Sequence, residues 1–221
     1  MSFNREQDQF RTFGRAKGRS LTPAAQQLWD ENFPRLKWDT ARDLPSEPLW
    51  LEIGFGAAEH VLWQAQQNPD VHVLGAEPFM NGVSKAIRGA VDMSLQNLSL
   101  HHGDVREIVS NLPDESLDRL FVLFPDPWPK SRHHKRRLLR TQFISELHRI
   151  LKPGAEFRFG SDIIHYVDWT LTRLKRHGGF AFTSEQSDRW LERPKDWPST
   201  RYQQKALREG RTCHYLIFKR I

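Results

Sequence analysis

The sequence predicts an α/β fold in which a doubly wound, mostly parallel seven-stranded sheet ends in an antiparallel terminal hairpin. Three observations predict it. Short apolar runs such as Leu49–Ile53, Val71–Glu77 and Phe121–Phe124 alternate with helix-length amphipathic stretches, a pattern that builds parallel sheets covered by helices on both faces. A Gly54-Phe55-Gly56 turn follows the first of these runs and opens a helical stretch. The last two apolar runs have no helical period between them, which predicts antiparallel pairing.

The first element is a helix from Pro23 to about Phe33, with Thr22 as its cap and Pro23 in its first turn, where proline loses nothing. Pro45 and Pro48 mark a linker. The first strand is Leu49–Ile53, and the helix after the glycine turn ends near Asn68-Pro69. Val71–Glu77 is the second strand, Asn81 to about Met93 a helix, and Asn97–His101 the third strand, closed by Gly103-Asp104. Leu117–Phe124 is the fourth strand. Leu138–Leu151 reads as an amphipathic helix stopped by Pro153-Gly154, with Ala155–Gly160 as the fifth strand. A helix over Ile163–Arg176 ends at Gly178-Gly179, and Phe180–Thr183 and Thr212–Lys219 complete the sheet. Between those two lies Glu185–Arg211, long, polar and proline-bearing; loops of that length are usually functional or disordered.

The 221 residues suit one domain, residues 21–221, preceded by a basic arm over residues 1–20. Lys and Arg number 33 against 27 Asp and Glu, a net charge of +6. Residues 130–140 hold six cations and no acid, which accounts for the whole excess. Basicity gathered in one patch points to a polyanionic partner. The arm adds Arg5, Arg11, Arg15, Lys17 and Arg19, with Gly14 just before the last three and Gly18 among them; it is expected to be flexible and to fold onto the polyanionic partner, or else to be a plain tail. Cys213 is the single cysteine, so an internal disulfide and a cysteine-built metal site are both excluded. No apolar stretch reaches the length of a membrane span and no signal-peptide pattern opens the chain. The expectation is a cytoplasmic protein with no metal and no obligate protein partner.

The glycine turn reads Glu52-Ile53-Gly54-Phe55-Gly56-Ala57-Ala58-Glu59. A dinucleotide site needs Gly or Ala three residues after the second glycine; that position is Glu59, whose charge would repel a pyrophosphate at the helix N-terminus. Glu52 precedes the turn, Glu77 ends the second strand where nucleotide-binding units place a ribose-gripping acid, and Asp104 ends the third. Three acids suit a ligand without phosphates that carries positive charge, and S-adenosylmethionine has a sulfonium, an ammonium and a ribose diol. Structural alternatives stand beside these roles: Glu52 and Glu77 as strand-end caps, Asp104 as the cap of a helix over 105–111.

At the end of the fourth strand stands Pro125-Asp126-Pro127-Trp128-Pro129-Lys130-Ser131-Arg132-His133-His134-Lys135-Arg136-Arg137. The prolines fix the direction of the Asp126 carboxylate, at the strand end where open α/β sheets put their sites. Trp128 is either a stacking face for a base or a residue packed under the loop. Lys130, Arg132, Lys135, Arg136, Arg137 and Arg140 offer charge to a phosphate chain.

EIGFG at 52–56, GAE at 75–77, GD at 103–104, PDPWPKSRHHKRR at 125–137, SD at 161–162 and TRY at 200–202 resemble, in order, the bacterial tRNA (guanine-N7-)-methyltransferases. The resemblance runs from about residue 13 to the end and implies the Rossmann-like fold of class I methyltransferases. It implies that Glu52, Glu77, Asp104 and Asp126, with Gly54 and Gly56, contact S-adenosylmethionine, and that Asp126 is also catalytic. Lys130, Asp162, Thr200, Arg201, Tyr202 and Gln203 are implied as substrate contacts, and Arg132, His133, Lys135, Arg136 and Arg137 are expected along the RNA backbone. The substrate implied is the variable-loop guanine of tRNA. Asp162 has a second reading as the cap of the following helix, with Ser161 as rival. Two departures stand out: Ala58 occupies the family's frequent third glycine, tolerable if it lies inside the helix, and Thr200-Arg201-Tyr202-Gln203 replaces Thr-Lys-Phe-Glu, losing one acid.

Methylation at guanine N7 needs no base, because N7 presents a lone pair and no proton. His133 and His134 are therefore expected as phosphate or backbone contacts. The competing readings are a methyltransferase for another substrate and a non-catalytic RNA-binding protein on the same fold.

Overall fold

The computed structural model describes residues 14, 18–40, 43–183 and 188–221. Most of the basic arm, including Arg5, Arg11, Arg15 and Lys17, lies outside the described residues. The sheet comprises β1 (Leu49–Ile53), β2 (His72–Glu77), β3 (Leu98–His102), β4 (Leu117–Leu123), β5 (Leu151–Ser161), β6 (Phe180–Phe182) and β7 (His214–Arg220). Their order across the sheet is β3-β2-β1-β4-β5-β7-β6. The first five pair in parallel, and β7 enters antiparallel between β5 and β6. The strand order reverses at β1, with β2 on one side and β4 on the other, all three parallel; this is the crevice where doubly wound sheets bind ligands.

Helices cover both faces. α1 (Pro23–Leu36), α2 (Glu59–Gln67) and α3 (Met80–Asp92) pack one side through Leu36, Val61, Val83 and Ile87. α4 (Val105–Val109), α5 (Thr141–Ile150) and α6 (Ile164–His177) pack the other through Ile108, Leu147 and Val167. Every residue of β1 is buried, as a strand covered on both sides must be. Thr22 caps α1 as expected, accepting from the Ala25 N–H at 3.3 Å, but the helix continues through Pro34 to Leu36. Leu36 is buried against α3, and that apolar burial outweighs the backbone bond a late proline removes.

Two expectations need correction. The helix expected over Leu138–Leu151 starts three residues later, and Pro153-Gly154 does not stop it; Leu151 already belongs to β5. The β4–β5 register passes from Leu117–Leu151 directly to Arg119–Glu156, so Pro153 and Gly154 (φ 79°) sit in a bulge, where a missing N–H costs no ladder bond. The Glu185–Arg211 segment is not a structureless loop between hairpin strands: it carries a 3₁₀ turn at Asp188–Leu191 and α7 (Arg201–Arg208). α7 has a polar exposed face and contributes Ala206 to a small third cluster with Trp50, Phe121, Trp197 and Tyr215.

Candidate active site

A cavity of about 260 Å³ opens at the carboxyl ends of β1, β2 and β4. Its walls come from the glycine turn, Glu77 and Phe79, the Phe124–Trp128 turn, Arg136, Leu138 and Tyr202. The turn between β1 and α2 places alternate residues in the left-handed region: Gly54 at φ 74°, Gly56 at 57° and Ala58 at 70°. Ala58 is therefore not inside the helix. It is the left-handed N-cap of α2, a conformation that costs a β-carbon about 1–2 kcal/mol, and its methyl is fully buried against the α2–α3 side of the core. Gly56 has no room for a side chain: a β-carbon there would lie 2.9 Å from Cε2 of Tyr202. On the far side, a β-carbon on Gly82 of α3 would lie 2.2 Å from the Gly56 carbonyl oxygen. The close approach of α3 and Tyr202 to this turn shapes the cavity.

Glu77 ends β2 with its carboxylate held by two backbone donors, Gly56 N–H at 2.7 Å and Phe79 N–H at 2.9 Å. Burial raises its pKa, those two bonds lower it, and the charges of Asp126 and Glu52 raise it again, with a net upward shift. Asp126 is exposed at the cavity's rim, yet the protein around its carboxyl raises its pKa through desolvation. Neither carboxylate is ion-paired among the described residues. Two carboxylates that repel each other across one cavity fit a ligand bearing positive charge. S-adenosylmethionine meets that requirement: Glu77 stands where ribose hydroxyls would be gripped, and the bare turn at Gly54 and Gly56 admits a ligand against the backbone.

The backbone holds Asp126 under tension. Phe124 (φ 49°) and Trp128 (φ 42°) are both left-handed, at either end of the Pro125-Asp126-Pro127 segment. Such strain gathers where surrounding structure over-determines a functional turn. The Phe124 N–H donates to Gly160 O at 2.7 Å, extending the β4–β5 pairing one residue into the turn. Trp128 lines the cavity, half-buried, with the Arg136 guanidinium 4.9 Å from its ring centroid and His133 edge-on at 6.0 Å.

Other residues expected at the site do not line this cavity itself. Glu52 is 2% exposed and bonded at 2.7 Å to His60 Nδ1 on α2, and it lines a small recess that shares Gly54, Leu123, Phe124 and Tyr202 with the main cavity. Asp104 does not line the cavity: it caps α4, accepting from Arg106 N–H at 3.0 Å, and forms a two-pronged pair with the Arg106 guanidinium at 2.7 and 2.6 Å. Asp162 pairs with Arg211 Nε at 2.6 Å, and Ser161 rather than Asp162 accepts from the Ile163 N–H. Thr200 caps α7, accepting from Gln203 N–H at 3.3 Å. Gln203 is 7% exposed and donates to the Tyr215 hydroxyl at 2.6 Å, facing β7. Arg201 is held by Glu59, which accepts from both its backbone N–H at 2.8 Å and its Nε at 2.9 Å. Of the four residues 200–203, Tyr202 lines the main cavity and Thr200 the small recess beside it.

The cationic block forms a 3₁₀ turn, Ser131–Arg136. Lys130, Arg132 and Lys135 are exposed, whereas His133, His134 and Arg140 are half-buried. Arg137, expected on the RNA backbone, is instead 2% exposed. Its Nε donates to Pro127 O at 2.8 Å, and its guanidinium lies 4.9 Å from the Tyr166 ring and 4.8 Å from the Trp169 ring. This arginine ties the Asp126 turn to α6.

Sequence reading passed over Phe79 and Leu138 as cavity walls. Phe79 directly follows Glu77-Pro78, so its position after a strand end was the available signal. It also passed over the contact at the arm's end, where Asn81 donates to Arg19 O at 3.0 Å beside Phe79.

A family model described as "Putative methyltransferase" matches residues 46–216. The tRNA (guanine-N(7)-)-methyltransferase of Roseobacter denitrificans is 45% identical over 94% of this chain and 95% of its own length. The enzyme of that name from Caulobacter sp. (strain K31) is 47% identical over 89% of each. Among solved structures, a 16S rRNA (adenine(1408)-N(1))-methyltransferase variant with cosubstrate SAM from Catenulisporales acidiphilia shares the fold at TM-score 0.55 and 18% identity, covering 93% of this chain and 94% of that one. The motifs, the ligand crevice and this full-length similarity agree, and the chain belongs to the family of tRNA (guanine-N(7)-)-methyltransferases.

Proposed function

We propose that this protein methylates N7 of the variable-loop guanine in tRNA, and that Asp126 is its catalytic residue. The observation that carries this reading is the strained Pro125-Asp126-Pro127-Trp128 turn, which lines the same cavity as Glu77 and the glycine turn and runs directly into a cationic 3₁₀ turn. The cofactor, S-adenosylmethionine, supplies an electrophilic methyl carbon on a sulfonium.

The chain's own task is alignment. Guanine N7 is nucleophilic without deprotonation, so holding it in line with the methyl carbon supplies much of the catalysis; such positioning is worth up to about 7–11 kcal/mol. As N7 takes up the methyl group, the methyl–sulfur bond breaks, its electron pair stays on the departing neutral thioether, and the positive charge passes to the guanine imidazole ring. Asp126, fixed by two prolines and by Arg137 on the following carbonyl, offers a carboxylate to that charge without reorganising. Glu77 holds the ribose diol and Tyr202 closes the cavity beside Gly56. A guanine buried in tertiary contacts of tRNA must be turned out to reach this cavity, and Trp128, already stacked with Arg136, offers it a ring to lie against. Lys130, Arg132 and Lys135 face solvent beside the cavity mouth and neutralise the phosphate chain, with His133 as a further contact. The arm over residues 1–20 joins the described fold at Gly18–Arg19, against Asn81 and against Phe79 of the cavity wall, a starting point from which it reaches a bound RNA. Asp162, Thr200, Arg201 and Gln203 shape the substrate side through α7 and its pairings.

The test is transfer of labelled methyl from S-adenosylmethionine to an unmodified tRNA transcript, followed by borohydride and aniline cleavage. The expected result is one cleavage in the variable loop, abolished when that guanine is replaced. Label without cleavage would discard the N7 assignment, and absence of label on any tRNA would overturn the reading.

A further inference from the structure

A second cavity, of about 310 Å³, lies on the other side of the cationic turn, between Pro129–Arg137 and α6. Its lining includes Arg137, Arg173, Trp169, His134 and Asp168. Arg137 is buried, and its Nη2 has no partner among the described residues; the Nε of Arg173 is likewise buried without one. Both guanidiniums crowd the Trp169 ring, at 4.8 and 3.1 Å from its centroid, with His134 edge-on at 5.2 Å. The ring's own N–H is already used, donating to Leu139 O at 3.0 Å. Burial first, then the neighbouring charges of Arg176 and Arg137, hold Arg173 below the ordinary arginine range. A buried guanidinium beside a half-buried one, each with an unfilled donor, is costly unless an anion meets them.

We propose that this cavity receives a phosphodiester of the RNA strand adjoining the guanine under methylation, with Arg137 Nη2 and Arg173 as its donors. The inference rests on the functional reading above and extends it to a second subsite. Charge selects the ligand. Two arginines against the exposed Asp168 leave one net positive charge, which matches a singly charged diester better than a free phosphate dianion. Connectivity gives the site a consequence: the Arg137 side chain that would meet the phosphate also holds Pro127 O through Nε at 2.8 Å. Seating of the strand is thereby joined to the carbonyl next to Asp126.

Arg137 variants risk unfolding, so the test uses Arg173→Gln and Thr172→Glu, the second placing a carboxylate in the lining. Filter binding of unmodified tRNA across a salt series is expected to show about tenfold weaker affinity for Arg173→Gln and a log–log salt slope lower by about 1, with a larger loss for Thr172→Glu. S-adenosylmethionine affinity should stay at the wild-type value in both, and each should still unfold in one cooperative transition above the assay temperature, Arg173→Gln somewhat earlier for loss of its contact with the Trp169 ring. A tRNA scanned with single methylphosphonates should contain one position where neutralisation weakens the wild type and leaves Arg173→Gln unaffected. Wild-type affinity and slope in both variants would overturn the proposal. So would inorganic phosphate raising the wild-type melting temperature through Arg173 while RNA binding ignores both substitutions, since the site would then serve free anions. A wild-type protein that binds no tRNA would overturn the functional reading as well, whereas variants that bind normally would overturn the second subsite alone.

Discussion

The Tyr202 ring lies across Gly56 so closely that a β-carbon on that glycine would come within 2.9 Å of its Cε2. The two residues are far apart in the chain, and their contact joins α7 to the glycine turn between β1 and α2. Gly56→Ala meets two penalties, the ring contact and a left-handed φ of 57°, the second alone worth about 1–2 kcal/mol. S-adenosylmethionine affinity, measured by calorimetry, is expected to fall at least about tenfold. Tyr202→Ala should recover the part due to the ring and leave the backbone part. Equal losses in the single and double variants would mean the ring contact plays no role.

Asp126→Ala should separate chemistry from binding. The carboxylate is exposed at the cavity rim and makes no ion pair among the described residues, so its removal costs the fold little. Loss of a fixed charge facing the developing imidazolium is expected to lower kcat at least about 100-fold. The Kd for tRNA should stay within about threefold, because the cationic turn carries that affinity. A variant with near-normal kcat would remove Asp126 from catalysis.

Acid should weaken cofactor binding before it unfolds the protein. The Glu77 pKa is raised, first by burial, so on acidification this carboxyl takes up its proton at a higher pH than an ordinary glutamate. The ionised form is the one that suits a cationic ligand. Affinity is therefore full above the raised pKa and declines as pH falls through it. The folded chain holds that proton more tightly than the unfolded chain, so this group does not drive acid unfolding. Calorimetry from neutral pH down to the ordinary glutamate range, about pH 4.3, with near-ultraviolet circular dichroism to monitor folding, should show affinity falling while the signal holds. Glu77→Gln should bind more weakly throughout and lose the pH dependence; a wild-type affinity flat over that range would show that Glu77 protonation does not reach the ligand.

The sheet and the glycine turn were legible because a buried parallel strand needs a continuous apolar run and a left-handed turn selects glycine. Ala58 shows where that logic gives out: it is left-handed all the same, because its methyl is buried against the core. Pro153-Gly154 reads locally as a helix stop, yet the bulge that accommodates it depends on pairing with β4, which no local window contains. Asp104 and Glu52 were legible as acids at strand ends, whereas their pairing with Arg106 and His60 was not, because it depends on how α4 and α2 set those side chains. Arg137 is the clearest limit. Within a run of cations nothing marks one as buried; its place was set by Tyr166 and Trp169 on a later helix.

That difference within the cationic block gives a final prediction. Arg137 donates to Pro127 O and packs between two aromatic rings at 4.9 and 4.8 Å. A desolvated cation–π contact is worth about 2 kcal/mol and a hydrogen bond from a charged donor about 1.5–3 kcal/mol. Arg137→Ala should therefore destabilise the protein by about 3 kcal/mol or more in urea, and loosen the Asp126 turn with it. Lys135, two residues earlier, is exposed and has no such contacts to lose. Lys135→Glu should leave the urea midpoint unchanged, weaken tRNA binding and lower the salt slope by about 1. The neighbouring cations then separate cleanly, one in stability and the other in RNA affinity. If Arg137→Ala unfolds at the wild-type midpoint, the buried guanidinium does not brace the turn, and the connection from α6 to Asp126 fails with it.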